Sequence, residues 1–173
     1  MTAISIHVTA LDGIIHVNSL FTFAVFVGLA WNPRDPNNRL TDDPKCEAGP
    51  KIAEDLVAFH VYSFASFLFS SLIAMCIKQL TRLTEDAHVE IHGVDIAVVV
   101  NKYLVQIGYV VCAVGSVAGC VCLMLALRNV VQIKLGTLGC GSPHTSAAVY
   151  PLFIFGIAGL IFYVFTIVYA FFV

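Results

Sequence analysis

The chain has 173 residues, of which 59% are hydrophobic and 12% charged, with a formal net charge of −2. Its mean hydropathy is +0.90. A soluble fold this small has too much surface for its volume to hide so much apolar side chain. The near-neutral balance leaves no basic footprint for nucleic acid.

Charge placement sets the architecture. Residues 13–33, 56–77, 103–127 and 135–173 contain no Asp, Glu, Lys or Arg. A hydrocarbon layer of about 30 Å takes about 20 apolar residues as helix, whereas buried core helices of soluble proteins rarely stay uncharged beyond about 14. The expected fold is therefore all-α: a single integral membrane four-helix bundle over residues 1–173, with up-down topology and both termini on one side. No cleaved targeting peptide is expected, because residues 1–11 hold no Lys or Arg and the first apolar run is long for a signal sequence.

Span one is predicted over about residues 14–31, stopped by Asn32-Pro33 after the interfacial Trp31. A turn-rich first loop follows, with Pro33, Pro36, Pro44 and Pro50 among charges of both signs. Span two is predicted over about 56–77, entered through Glu54-Asp55, which suit the positive end of a helix dipole. In the second loop, Lys78 to Leu83 can extend span two along the membrane surface, and Asp95 can cap the helix entering span three. Span three is predicted over about 103–127. A third loop, rich in Gly, Ser and Thr, runs to Ala148, and span four covers about 149–172 with Pro151 in its first turn.

Small residues form stripes on every span. On span three Gly108, Cys112, Gly115, Gly119, Cys122 and Ala126 alternate steps of four and three, which places them on one helix face. Span two offers Ser63, Ser66, Ser70 and Ala74, span four Gly156, Gly159, Thr166 and Ala170, and span one Asn18, Thr22, Ala24 and Gly28. In lipid, close backbone approach at small residues holds helices together. These stripes are read first as closing the bundle. The aromatic span four is the one best suited to dock on another protein.

Two signals about orientation oppose each other. Loops one and three carry Arg34, Arg39, Lys45, Lys51, Arg128 and Lys134, against Lys78, Arg82 and Lys102 on the termini side. Positive-inside counting, six against three, places loops one and three in the cytosol. Yet Cys46 in loop one and Cys140 in loop three face the same compartment, and a disulfide between them would require an oxidising one. The bland alternative is two free thiols on a cytosolic face. Cys76, Cys112, Cys120 and Cys122 read as small packing residues in or beside the spans.

Candidate chemistry is sparse. His16 and His60 are ionisable residues at membrane depth. As ligands of a shared haem they would sit roughly 15 Å apart in depth, too far for one iron. His88, Glu90 and His92 form a His-x-Glu-x-His triplet that could bind a transition metal weakly, although a solvated loop explains the same residues. No zinc-protease, Walker, nucleophile-elbow or dinucleotide motif occurs, so no catalytic residue and no cofactor are expected.

The opening Ser5-Ile6-His7-Val8-Thr9-Ala10-Leu11-Asp12-Gly13, followed by Val17-Asn18-Ser19-Leu20-Phe21-Thr22, resembles a group of small plant four-span membrane proteins. That resemblance implies the four-span layout and an endomembrane or plasma-membrane address. It implies no activity and no site residues.

The functional expectation is a non-enzymatic accessory, assembly or scaffolding subunit of a larger membrane complex. Its partners would be the lipid bilayer and either another integral membrane protein or further copies of itself. The alternatives are an oligomeric channel or small transporter, lined by the Ser stripe of span two, and a haem- or metal-binding redox protein.

Overall fold

A computed structural model describes residues 3–30, 46–90, 95–141 and 143–172, with side chains described for 8–30, 46–82, 103–141 and 143–169. The chain is an integral membrane four-helix bundle: α1 (Ala3–Ala30), α2 (Pro50–Glu90), α3 (Asp95–Leu135) and α4 (Pro143–Phe172). All four helices are long and apolar enough to cross a membrane. Consecutive helices pack against one another in up-down order. The α2–α3 pair is the most extensive, α1 lies on α2, and α4 rests mainly on α3 with a smaller contact to α1.

The helices outrun the expected spans. At about 1.5 Å per residue, the 41-residue helices α2 and α3 reach about 60 Å, beyond even a bilayer with its headgroups. Charge-free length marks the part of a helix that meets lipid, and Arg128, Asn129 and Lys134 simply continue α3 beyond it. Most of the second loop is accordingly helical. Asp95, expected as a cap, is where α3 begins.

Helix α2 starts at Pro50 rather than beside Asp55, with Pro at the position where its missing N–H costs nothing. Helix α4 starts at Pro143, well before residue 149. Pro151 therefore lies inside α4, not in its first turn. Without its N–H, the carbonyl of Ala147 lacks the usual helical donor.

Buried positions on α2 fall at Leu56, His60, Ser63, Phe67, Ser70, Ala74 and Ile77, alternating steps of four and three. On α1 they fall at Leu11, Ile14, Asn18 and Val25. That spacing is the 3.5-residue repeat of a left-handed helical seam. The seam holds two apolar layers. Toward the termini, Leu11, Ile14, Ala74, Ile77, Tyr109 and Cys112 pack together. Toward loops one and three, Val25, Phe67 and Leu123 form the second layer, with Phe21 stacked on Phe67 at 5.4 Å between centroids.

Candidate functional site

Between the two apolar layers lies a polar node. Asn18 of α1 donates to Ser70 Oγ of α2 at 3.0 Å, and Ser116 Oγ of α3 donates to Asn18 Oδ1 at 3.0 Å. The two hydroxyls lie 2.9 Å apart, and Ser70 also donates to the Cys112 carbonyl at 2.8 Å. Asn18 and Ser70 are fully buried and Ser116 nearly so. One residue from each of three helices thus satisfies the others, as a medium without water demands. From α4, the buried Tyr163 hydroxyl comes up beside Ser116 but makes no hydrogen bond of ordinary geometry.

The node's depth follows from helix rise. Ser70 lies eight residues, about 12 Å, from Lys78, whose ammonium pairs with the Asp12 carboxylate across α1 and α2. That half-exposed ion pair marks the polar boundary on the termini side. The node is therefore close to mid-membrane, within a layer whose half-thickness is about 15 Å.

The small residues explain why α2 and α3 come so close. A Cβ on Gly115 would stand 3.1 Å from the Ser70 Cβ and 3.5 Å from the Ser66 carbonyl. One on Gly119 would stand 2.7 Å from the Phe67 ring, and one on Gly108 would collide with Ile77. Bare backbone at Gly119 also leaves its carbonyl open to Ser63 Oγ, at 2.8 Å. Cys112 is buried in the same seam and its thiol points to the Ser70 carbonyl at 3.4 Å. Cys122 is only partly buried, off the centre of the seam, where Leu123 sits instead.

Elsewhere the stripes behave unequally. Gly156 of α4 faces Met124 of α3, and Gly28 of α1 makes room for the His60 ring of α2. Gly159 corrects the packing assignment: a Cβ there would meet nothing within 4 Å. It faces away from the bundle, because the side of α4 that touches α3 and α1 runs through Gly156 and Tyr163 instead.

The Ser stripe of α2 also points inward. Ser63 and Ser70 are fully buried and bonded to α3, so they do not present a hydroxyl lining to a pore between protomers. His60 is buried and its Nδ1 bonds the Leu56 carbonyl of its own helix at 2.8 Å. It stays within α2 rather than bonding across the bundle. His16 is exposed on α1. It lies twelve residues, about 18 Å, from Gly28, the level at which His60 sits.

No group of three or more His, Cys, Asp or Glu among the described residues is placed to hold a metal. The triplet lies beyond that statement. His88 and Glu90 belong to the last turns of α2 but their side chains fall outside the described residues, as does all of His92.

At the opposite end of the bundle, Cys46 and Cys140 are joined by a disulfide, with their Cα atoms 5.7 Å apart. The Thr137 N–H also donates to the Cys46 carbonyl at 3.0 Å. A 3₁₀ turn, Leu138–Cys140, presents the second cysteine, and Gly141 ends that turn at φ 66°, a left-handed conformation that suits glycine. Thr145 closes the link from the α4 side, donating to the Leu135 and Gly136 carbonyls at 3.0 and 3.1 Å. These carbonyls belong to the end of α3, where no helical donor remains.

Sequence reasoning named Asn18 and Ser70 as members of separate stripes and missed Ser116 and Tyr163. Ser116 carried a readable signal: it sits four residues after Cys112 and three before Gly119, on the same face. Comparison of the chain with protein-family models, with curated proteins and with solved structures returns no match. The bundle defines a polytopic membrane protein, and the reading of its role rests on its own residues.

Proposed function

We propose that this polytopic protein is a non-enzymatic accessory, assembly or scaffolding subunit of a larger membrane complex, resident in the endomembrane system or plasma membrane. One observation carries the reading: α4 keeps a long face uncovered by the bundle, while Asn18, Ser70 and Ser116 of the other three spans are spent on one another. Ile154, Phe155, Ile161, Phe162 and Phe165 stand exposed along it, and Gly159 leaves a gap among them. In lipid, aromatic and aliphatic bulk beside a small residue is a surface on which a further helix can pack closely. The address is the one that the resemblance to the small plant four-span group implies.

The test is purification of the tagged chain from its native membrane in mild detergent, with mass spectrometry of what accompanies it. A larger membrane protein recovered in near-fixed ratio, and lost with Gly159→Leu, supports the accessory reading. Recovery as a lone monomer or a homo-oligomer overturns it.

A further inference from the structure

We propose that loops one and three face an oxidising compartment, the cell exterior or the secretory lumen, and that both termini and the connection between α2 and α3 face the cytosol. The cysteines carry this inference. All six lie among the described residues, and they sort by environment. The two at the membrane rim, Cys46 and Cys140, are bonded to each other. The four carried by the spans, Cys76, Cys112, Cys120 and Cys122, are free thiols.

The pairing is not an isolated contact. The Thr137–Cys46 backbone hydrogen bond brings the same two loops together independently of sulfur. The 3₁₀ turn before Gly141 sets Cys140 at the bond. The fold therefore builds a site for a structural disulfide, and such bonds persist where thiols are oxidised and are rare where glutathione and thioredoxin keep them reduced.

The assignment runs against the Lys/Arg count, six on that side against three on the other. The two constraints differ in kind. A Lys/Arg excess in short loops such as these biases orientation while the chain inserts, a preference and not a prohibition, whereas a cytosolic thiol pool acts on the bond for the life of the protein. At the cytosolic end, Lys78 is neutralised by Asp12. The orientation holds whether or not a partner docks on α4.

The experiment uses two readouts on the full chain expressed in cells with an endoplasmic reticulum. Leu40→Thr completes an Asn-x-Thr acceptor at Asn38 in loop one, and a second version carries an acceptor on an N-terminal extension. The expected result is a glycosidase-sensitive mass shift for the first and none for the second. Glycosylation of the extension overturns the proposal.

In parallel, the protein is alkylated on denaturation with a polymer-tagged maleimide, with and without prior reduction. Two additional labels, absent from the Cys46→Ser/Cys140→Ser double variant, are expected only after reduction. Should the loop-one acceptor stay bare, this thiol readout decides. Protection until reduction upholds the orientation, and immediate labelling of Cys46 and Cys140 overturns it.

Discussion

The α2–α3 pair and helix α4 solve the same problem, staying put in lipid, in different ways. Along α2 and α3, glycine meets serine, backbone meets backbone, and hydroxyls bridge to the facing carbonyls at Cys112 and Gly119. Helix α4 lies against α3 and α1 through Gly156, Tyr163 and Ile167; past Thr145 in its first turn, which bonds the end of α3, the Thr166 bond to the Phe162 carbonyl stays on its own helix. Phe155 and Phe162 remain 76% and 73% exposed, so half of α4 is committed to nothing inside the protomer. The lesson concerns where specificity is stored. Water supplies no hydrophobic drive between helices in a bilayer, so close packing and polar bonds identify neighbours, and bulk apolar surface does not.

The comparison can be broken most severely at Gly119. Leucine there must displace the Phe67 ring and block the Ser63 bond, an overpacking penalty expected near about 3 kcal/mol. The α2–α3 seam should open, seen as loss of monodisperse protein in detergent and a large drop in melting temperature. Gly115→Leu should act in the same direction, and normal extraction and melting in both variants would sink the seam.

Asn18→Val comes next. It removes both node bonds between α1 and the pair but leaves Ser70 and Ser116 to satisfy each other, so about 1–2 kcal/mol should be lost. Denaturant titration in micelles would measure it. The double variant with Ser116→Ala should lose less than the sum of the singles, because the two residues share a bond. Additive losses would show that the node does not act as a unit.

Tyr163→Phe sharpens the contrast from the α4 side. A buried hydroxyl without a partner is a liability, so its removal should leave stability unchanged or raise it by up to about 1 kcal/mol. A clear loss in the same titration would mean that Tyr163 completes the node. The smallest effect is expected at Gly159. Leucine on this outward face should stay within about 1 kcal/mol of the parent in melting, on the stabilising side because helix propensity improves. Its effect should instead appear in co-purification.

Several of these features were legible in the residues alone. Charge-free lengths located the four lipid-crossing segments, because a lone charge in hydrocarbon is too costly to scatter. The four-three spacing of Gly108, Gly115 and Gly119 marked the face that meets another helix. Helix ends were less legible: Arg128 and Lys134 read as loop because polar residues leave lipid, yet leaving lipid does not end a helix. Gly159 shared the spacing of Gly156, and only the tilt and rotation of α4 against α3 show that one packs and the other does not. The node was visible as scattered polar residues but not as a cluster, since Asn18, Ser70 and Ser116 are up to 98 positions apart.

By itself, then, the sequence determined that this protein lives in a membrane, crosses it four times as helix, and holds those helices close through small residues. These follow from composition and period, which act locally along the chain. Tertiary structure alone decided which stripe meets which, that the serines of α2 point inward, that three helices share one polar node, and that Cys46 is bonded to Cys140. Each of these depends on the relative rotation and register of helices, and residues distant in sequence express no preference for one another until packing brings them within a few ångströms.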